Sequence, residues 1–416
     1  MMKKTLLSFV VLLAAMAVQA QTVMKVSVSN PLSVSRNAVP VTIQLDTPVR
    51  SALVVDSKGV ELPCQLDDID SDGRNDCLSF IVPEIGGKKS LSYSVTLSES
   101  GQPRSYQPQV YAEMLLTNKK IKSTNKQDLY ISSLTVDNGT NPYWMLHHHG
   151  PAFENDMVAY RIYFDERQTV DIYGKYKRGL ELRDTQFYPD SDQKAAGYGD
   201  DVLWVGKTFG VGAIRGWNKG SMQMLQDVES RTLAVVARGP LRTIVKVVDK
   251  GWNPRYPDTC TPEERIDMTT YYTLYAERRD CQVDVHFSRD AAGLQLSTGL
   301  VNVKESSEYS DGKGLRGCWG TDWPVSEKDS VGHKRETVGL GIFLPSANVI
   351  SELPADKSNY PFVVGNISTS MRYYITFASD NETFPEGIHS AKTFFDYLAE
   401  WKRDVEHPCV ISCSRR

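Results

Sequence analysis

Short runs of alternating apolar and polar residues recur along most of the chain, and this period of two is the feature that most constrains the fold. In residues 21–100 the runs include "MKVSVSN", "VPVTIQLD" and "LSYSVTLSES", and turn-forming residues follow them. Such alternation is typical of strands with one buried face, and Gly, Pro, Asn and Asp favour the turns between them. The pattern predicts a small antiparallel β unit at residues 21–100.

A polar stretch at residues 101–128 interrupts this pattern, and we interpret it as a linker. Strand-like runs resume in residues 129–416 with "MVAYRIYFD", "TLAVVARGPLRTIVKVVD" and "CQVDVHFS". Many short strands rich in aromatic and β-branched residues predict an all-β fold, a large antiparallel β-sandwich or barrel. One segment, "SAKTFFDYLAEWKRDV" near the C-terminus, has the pattern of an amphipathic helix.

Residues 1–20 have the pattern of a secretory signal peptide. A basic start, "MMKK", precedes the apolar run "TLLSFVVLLAAMAV" and the small residues that end in "VQA". The run is too short to span a bilayer comfortably, so we expect a periplasmic or secreted protein without membrane insertion. A formal net charge of -4 without a basic tract argues against a nucleic-acid partner.

The cysteines of an exported protein are expected to form disulfides. The chain has 7 of them. Pairs close in sequence are the simplest candidates, and they leave Cys318 over. These pairs are Cys64 with Cys77, Cys260 with Cys281, and Cys409 with Cys413.

The stretch "DDIDSDGRND" resembles a calcium-binding loop. Its carboxylates recur at alternate positions around Gly73, which permits a sharp turn, and hard oxygen ligands at this spacing suit Ca²⁺. The predicted ligands are Asp68, Asp70, Asp72 and Asp76. The alternative is a turn with solvated carboxylates, because Asp and Gly are ordinary turn residues. We expect the ion to be structural, and no dinucleotide or phosphate-loop pattern predicts an organic cofactor.

The stretch "LHHHGPAFEND" contains three of the chain's 7 histidines. In an extended strand His147 and His149 share one face while His148 points to the other. His147 and His149 with Glu154 have a spacing that suits a transition metal, and the alternative is acid–base catalysis near neutral pH. We favour the catalytic interpretation because the second half of a metal-binding cupin pattern is incomplete. A half-buried structural role is the third interpretation.

Two strands after the histidines carry cations and tyrosines on one face. Alternation places Arg161 with Tyr163, and Tyr173 with Lys175, and the short turn between the strands brings the two pairs together. A bidentate arginine suits a sugar carboxylate, and an aromatic ring suits a sugar ring. The face therefore predicts an anionic oligosaccharide as the partner.

Two Gly-rich stretches add further candidates for substrate binding. In "GYGDDVLWVGKTFGVGA", Asp200 and Asp201 stand at a strand entrance, where a carboxylate can face a cleft. In "GLRGCWGTDWP", Trp319 and Trp323 lie in a predicted loop, where they either stack on sugars or fill the core.

Three long segments resemble a known family: "HHHGPAFENDMVAYRIYFDERQTVDIYGK", "YGDDVLWVGKTFGVGAIRGW" and "LPCQLDDIDSDGRNDCLSFIVP". They are similar to the exported bacterial proteins catalogued as domain of unknown function 4861, and the similarity covers nearly the whole mature chain. The resemblance implies an association with the degradation of pectin-like, uronic-acid-containing polysaccharides. It also implies a β-sandwich of the galactose-mutarotase type, but it supplies no catalytic residues.

The function predicted from these features is a β-eliminating lyase for uronic-acid oligosaccharides. Elimination needs a group that neutralises the uronate, a base and an acid. The candidates in that order are Arg161 or Lys175, His148 or His149, and Tyr163 or Tyr173. A hydrolase that uses Glu154, Asp200 or Asp201 is one alternative, and a mutarotase or epimerase and a non-catalytic glycan-binding protein are the others. The oligomeric state is left open.

Overall fold

The protein is described by a computed structural model over residues 21–117 and 129–415. The predicted signal peptide at 1–20 and residues 118–128 of the predicted linker lie outside these ranges. Within the described chain the regular structure is almost entirely β, which confirms the all-β prediction. No helix among the described residues is long and apolar enough to cross a membrane.

The elements follow one another in a simple order. The N-terminal unit contains β1 (Gln21–Ser29), β2 (Arg36–Gln44), β3 (Ser51–Asp56), β4 (Glu61–Leu62), β5 (Cys64–Asp67), β6 (Cys77–Ile85) and β7 (Ser90–Ser98). The first part of the large unit contains β8 (Val110–Glu113), β9 (Ser133–Asp137), β10 (Ala152–Asn155), β11 (Ala159–Ile162), β12 (Val170–Gly174), α1 (Leu182–Thr185), α2 (Ser191–Ala195), β13 (Asp200–Asp201), β14 (Arg215–Asn218) and β15 (Ser221–Gln223).

The long strands follow. They are β16 (Ser230–Arg238), β17 (Arg242–Trp252), β18 (Ile266–Tyr275), β19 (Cys281–Phe287), β20 (Leu296–Val301), β21 (Ser307–Ser310), β22 (Leu315–Asp322), β23 (Glu336–Phe343), β24 (Val349–Glu352), β25 (Asn359–Val364) and β26 (Ser370–Ser379). The chain ends with α3 (Ala391–Glu406) and β27 (Val410–Arg415).

The large unit is built on a nine-stranded sheet. Its strand order is β21-β22-β23-β26-β19-β18-β17-β16-β9, and two five-stranded sheets, β15-β14-β20-β25-β24 and β13-β12-β11-β10-β8, complete the unit. Alternation in β18 gives the large sheet two different faces. Tyr272 and Leu274 join the main core, whereas Tyr271 and Tyr275 point to the opposite, outer face. This alternation is what the sequence pattern predicted.

The N-terminal unit consists of two sheets, β27-β1-β7-β3-β4 and β2-β6-β5, that share one apolar core. The structure differs here from the predicted boundaries. β27 pairs with β1, with Cys413 opposite Val26, so the C-terminal strand completes the N-terminal unit. β8, from the predicted linker, pairs with β10 in the large unit. Both pairings join residues that are distant in sequence, which local composition does not reveal.

Helix α3 covers one end of the outer face of the nine-stranded sheet. The Ser390 hydroxyl caps it by accepting a hydrogen bond from a backbone N–H of the first turn at 3.2 Å. Its buried side carries Phe394, Leu398 and Trp401. Gly317 of β22 allows the close approach, since a Cβ atom there would lie 2.3 Å from Leu398. The predicted C-terminal helix is therefore confirmed, and only the short helices α1 and α2 were not predicted.

The predicted disulfides do not form, since all seven cysteines are free thiols. In the β5–β6 register Cys64 lies opposite Phe80 and Cys77 lies opposite Asp67. Three residues of offset correspond to roughly 10 Å along a strand, beyond the ~7 Å that a disulfide spans between Cα atoms. Extended backbone separates Cys409 from Cys413 in the same way. Cys281 is buried in the main core while Cys260 is only half-buried.

Candidate functional site

The three histidines form one turn of 3-10 helix instead of the predicted strand. His148 and His149 have φ values of 43° and 69°, in the left-handed region that non-glycine residues seldom adopt. The turn is fixed to its neighbours by a hydrogen bond from the Phe164 N–H to the His149 carbonyl at 2.8 Å. Gly150 follows, and a Cβ atom there would lie 1.7 Å from the carbonyl oxygen of Ile162. Strand alternation therefore does not apply to this stretch.

His148 is sealed inside the protein, with 2% of its surface exposed. Its Nε2 shares a 3.0 Å hydrogen bond with Oε1 of Glu113, whose other oxygen accepts a hydrogen bond from the Tyr111 hydroxyl at 3.0 Å. Burial lowers the pKa of His148 to about 3 and raises the pKa of Glu113 to about 8, so burial favours the neutral form of each group. The sealed position of His148 does not favour the catalytic role predicted for it.

His147 and His149 are half-buried. The His149 ring stacks on Tyr143 with centroids 3.8 Å apart, and its Nδ1–H donates to the Tyr143 carbonyl at 3.0 Å. Burial lowers the pKa of both histidines to about 4, so they too are neutral at pH 7. Among the described residues, the one group of three ligands close enough for a single metal ion is acidic and contains no histidine. The metal interpretation of the histidines is therefore not supported.

Lys175 and Glu154 form a buried ion pair instead of a substrate-binding surface. Their side chains are 0% exposed, and Lys175 Nζ lies 2.5 Å from Glu154 Oε2. Lys175 also donates to the Asn155 carbonyl at 2.6 Å, while Glu154 accepts the backbone N–H groups of Glu181 and Leu182 at the start of α1. The pair holds the chain that leads into α1. Both predicted substrate-binding roles are therefore corrected to structural ones.

Arg161 is likewise occupied and buried, with 1% of its surface exposed. It lies opposite Asp171 in the β11–β12 register and donates to that carboxylate, and it also donates to the hydroxyls of Tyr163 at 3.0 Å and Tyr188 at 2.8 Å. Its guanidinium lies 3.9 Å from the centroid of the Phe187 ring. The predicted face of cations and tyrosines exists, but Phe187 and Tyr188 cover it.

The tyrosines predicted as acids are covered together with Arg161. Tyr163 and Tyr173 are 6% and 0% exposed. Burial raises the pKa of the Tyr163 hydroxyl well above its usual value. Neither tyrosine meets solvent in a way that allows contact with a sugar, so their predicted catalytic roles are not supported.

Asp201 is where this network reaches solvent. Its Oδ2 lies 3.2 Å from Arg161, which Asp171 also occupies, and 20% of its side chain is exposed. Burial and the nearby charge of Asp171 raise the pKa of Asp201 well above that of an ordinary carboxyl. Two carboxyl groups share one guanidinium here, so the protonated form of Asp201 is favoured more than in an ordinary exposed carboxyl.

Asp201 opens into a pocket of about 270 Å³, which we call the Asp201 pocket. Its lining comes from four separate segments of the chain. The lining residues are Tyr176, Lys194, Gly197, Tyr198, Asp200, Asp201, Pro324, Gly332, His333, Lys334 and Glu336. Asp200 and Asp201 were the members predicted from the sequence, and their place at a strand entrance is as expected.

The remaining groups of the Asp201 pocket form two cation pairs. Lys194 Nζ lies 2.5 Å from Asp200 and stays half exposed, at 50% of its side chain. Lys334 lies 3.4 Å from Glu336 and donates to the Tyr176 hydroxyl at 3.1 Å. That hydrogen bond raises the pKa of Lys334, which therefore remains charged. The pocket thus combines accessible cations, a tyrosine hydroxyl and a carboxyl group with a raised pKa.

The two tryptophans predicted as sugar platforms have different surroundings in the structure. Trp319 belongs to strand β22 instead of a loop, and its ring packs against Phe394 of α3 with centroids 5.8 Å apart. It contributes to the apolar cluster under the helix, so the core interpretation is the correct one. Trp323 is half-buried and directly precedes Pro324, which lines the Asp201 pocket.

The acidic loop between β5 and β6 brings three of its four predicted ligands together. Asp68, Asp70 and Asp76 each place an oxygen within 4.8 Å of the others. The Asp72 carboxylate lies outside this group and accepts the Arg74 N–H at 2.8 Å. The three convergent carboxylates also accept backbone N–H groups of the loop. The donor set suits a hard cation such as Ca²⁺, and the loop lies in the N-terminal unit.

Fold and site together define an all-β protein with a polar, mixed-charge pocket at the edge of a buried ionic network. The chain belongs to the family described as Domain of unknown function (DUF4861), whose family model matches residues 28–411. No curated protein matches the chain.

Two solved structures are similar over 95% of the chain, both with a TM-score of 0.43. One is an alpha-mannosidase from Enterococcus faecalis V583, with 10% sequence identity. The other is a protein in the Glycosyl Hydrolase Family 38 from Enterococcus faecalis, with 9% identity. The chain covers 46% and 47% of these proteins, about half of their length.

Proposed function

We propose that the protein is an exported carbohydrate-active enzyme that cleaves uronic-acid-containing oligosaccharides in the Asp201 pocket by β-elimination. The observation that carries the proposal is the presence of two accessible lysines, a tyrosine and a carboxyl with a raised pKa in one small pocket. Export rests on the predicted signal peptide, and the pectin-like substrate class rests on the family resemblance.

Recognition of the uronate uses charge and hydrogen bonding together. Lys194 and Lys334, which stay exposed beside Asp200 and Glu336, supply positive charge close to the pocket. Asp201 donates a hydrogen bond to the sugar carboxylate when it is protonated. An ionised Asp201 would repel that carboxylate. The raised pKa of Asp201 therefore suits an anionic sugar. The two lysines neutralise the charge of the uronate during elimination.

Tyr176 is the group that we assign to proton transfer. The ammonium of Lys334, 3.1 Å from the Tyr176 oxygen, stabilises negative charge on that oxygen. Tyr176 acts as a tyrosinate: its oxygen takes the proton from C5 of the uronate, and the bond between C4 and the glycosidic oxygen breaks. The tyrosine hydroxyl then returns that proton to the leaving oxygen, which regenerates the tyrosinate. A C4=C5 double bond forms, and no water is consumed.

Hydrolysis at the same pocket is the second candidate, because carboxyl groups with different environments line it. The raised pKa of Asp201 suits a general acid, whereas Glu336 lies beside Lys334 and accepts a hydrogen bond from Asn381 at 2.6 Å. Carboxyl groups held apart in their proton affinity are the usual arrangement in glycoside hydrolases. Hydrolysis would add one water and create a new reducing end.

The two reactions are distinguished by product and by variant. Oligosaccharides of polygalacturonan, glucuronan and ulvan type are incubated with the enzyme, and unsaturated uronate absorbance is followed together with reducing ends. For elimination, we expect absorbance to rise and Tyr176→Phe to lower the rate at least about 100-fold, while Glu336→Gln retains most of it. Tyr198→Phe, in the same pocket, is the matched control.

The other outcomes would each contradict elimination. New reducing ends without the double bond, abolished by Glu336→Gln and not by Tyr176→Phe, would establish hydrolysis. A change in optical rotation at constant chain length would indicate a mutarotase or epimerase. Binding that Asp201→Asn weakens, without any product, would identify a glycan-binding protein.

A further inference from the structure

A second concave surface lies where the N-terminal unit meets the outer face of the nine-stranded sheet. Helix α3 covers one end of that face, and the N-terminal unit covers part of the other. Where the N-terminal unit meets β17, β18, β19 and β26 there is a groove of about 580 Å³, roughly twice the size of the Asp201 pocket. Its volume falls within the ~300–1,000 Å³ of ordinary ligand sites. We call it the interunit groove.

The two walls of the interunit groove are fixed to each other. Arg242 of β17 donates to Asp67 of the N-terminal unit at 2.8 Å, and Gln65 donates back to the Arg242 carbonyl at 3.0 Å. Thr42 and Tyr275 share a hydrogen bond of 3.1 Å across the junction. These contacts make the groove a formed feature of the fold that needs no rearrangement to admit a ligand.

The floor of the groove is an array of hydroxyl, amide and ring groups. It comes from the outward positions of β18 and β19, whose alternate residues fill the core. Tyr271 is half-buried and meets the His286 ring edge-on, with centroids 5.7 Å apart. The ammonium of Lys246 lies 5.6 Å from the centroid of the Tyr271 ring. The two contacts fix the orientation of the ring, which stays half-buried and can serve as a stacking platform for a sugar.

The charged groups that line the groove are already paired. Arg372 donates to Asp284 at 2.5 Å, and Arg242 is paired with Asp67. The Asp284 carboxylate also accepts the Gln282 amide at 2.6 Å. A neutral polyhydroxylated ligand can use the hydroxyls and the Tyr271 ring of the groove without breaking an ion pair.

We infer that the interunit groove binds a neutral oligosaccharide segment, with Tyr271 as its stacking platform. This inference does not rest on the proposed reaction, because the groove and the Asp201 pocket share no residue. The groove would serve as a separate glycan-binding site that recognises neutral sugars.

Calorimetric titration with neutral hexaoses of galactan, arabinan and mannan type tests the inference on the full mature chain. We expect at least one to bind with an affinity that is independent of salt, because no net charge is involved. Tyr271→Ala should weaken that binding about tenfold or more, whereas Tyr271→Phe, which keeps the ring, should retain most of it. Trp144→Ala, at an exposed ring outside the groove, is the control for non-specific stacking.

His286→Ala provides a second variant in case Tyr271→Ala does not fold, and we expect it to weaken binding several-fold. Asp201→Asn should leave the affinity for neutral hexaoses unchanged, so failure of the proposed reaction and failure of this inference are separable. Absence of binding by all three hexaoses, or binding that neither Tyr271→Ala nor His286→Ala weakens, would overturn it. So would self-association of the protein that Tyr271→Ala abolishes, which would make the groove a contact between copies.

Discussion

Two sets of charged residues lie side by side in the sheet that contains β11, β12 and β13, and only one of them reaches solvent. Lys175 and Glu154 are sealed, whereas Asp201, on the neighbouring strand, opens into a pocket. Residue types and strand positions are similar in the two sets. Acids, bases and cations are present in both sets. Solvent access is therefore what distinguishes groups with a structural role from groups that can take part in chemistry.

The covering segment explains the difference. Residues 181–188 pass over the face of β11 and β12, and Phe187 and Tyr188 contact Arg161 there. Asp201 lies at the edge of this cover, so it keeps one side toward the interior and one toward the pocket. Burial in that position, together with the negative charge of the nearby Asp171, raises the pKa of Asp201.

The largest effect on stability is expected when the buried cation, Lys175, is removed. Lys175→Met leaves Glu154 buried without its partner, and we expect the free energy of unfolding to fall by about 3–5 kcal/mol. Lys194→Met, which removes the exposed cation of the pocket, should change it by less than about 0.5 kcal/mol. Urea denaturation of both variants measures the contrast. Equal effects from the two substitutions would show that Lys175 is not sealed as described.

The histidine turn gives the next largest effect. His148→Ala removes a buried ring and its hydrogen bond to Glu113, so we expect a loss of about 2–4 kcal/mol in unfolding free energy. His149→Ala loses mainly the stacking contact with Tyr143 and should cost about 1 kcal/mol. Denaturant titration at neutral pH checks the order. A reversed order would mean that His149 is the structural member of the turn.

Some of this organisation was predictable from the sequence. Alternation predicted β-rich units correctly because each strand of the large sheet has one core face, as β18 does. Asp200 and Asp201 were found because a strand entrance is a local signal. Lys334 and Glu336 were missed, since they reach the pocket from a segment more than a hundred residues away.

The failures have a common physical cause. Lys175 in an alternating strand has the same local pattern whether its face is open or covered, and the cover comes from residues 181–188. The left-handed backbone of His148 and His149 also leaves no local signal, because tertiary contacts at Gly150 and Phe164 fix the turn. Burial and backbone strain depend on segments distant in sequence, so a local pattern cannot reveal them. The alternation of apolar and polar residues is local, so the sequence does reveal it.

Acidification should lower the stability of the fold through the three histidines of the turn. Their pKa values are lowered to about 3 or 4, so below the usual value of ~6.5 the unfolded chain binds protons that the folded chain does not, and stability falls with pH. Glu113 acts in the opposite sense, because its pKa is raised to about 8 and its contribution is lost as pH rises toward that value.

We expect a net loss of about 1–2 kcal/mol in unfolding free energy between pH ~7.5 and ~5.5. Glu113→Gln removes the opposing contribution, so its loss over the same range should be steeper than that of the wild type. Denaturation at a series of pH values tests both statements. An unchanged slope in Glu113→Gln would show that Glu113 is ionised in the folded protein at neutral pH.

The smallest expected effect concerns the acidic loop, where calcium binding remains a prediction. An ion that binds only the folded state stabilises it by about 1 kcal/mol when free calcium is about five times Kd, so chelation should lower the melting temperature and added calcium should restore it. The geometry sharpens the test, because Asp70 belongs to the convergent group and Asp72 does not. Asp70→Asn should abolish the response to calcium, whereas Asp72→Asn, a matched change two residues away, should retain it. Equal responses in the two variants, or a wild-type melting temperature that chelation does not change, would identify the loop as a solvated turn. Four carboxylates in a turn need no ion when water and backbone N–H groups satisfy them.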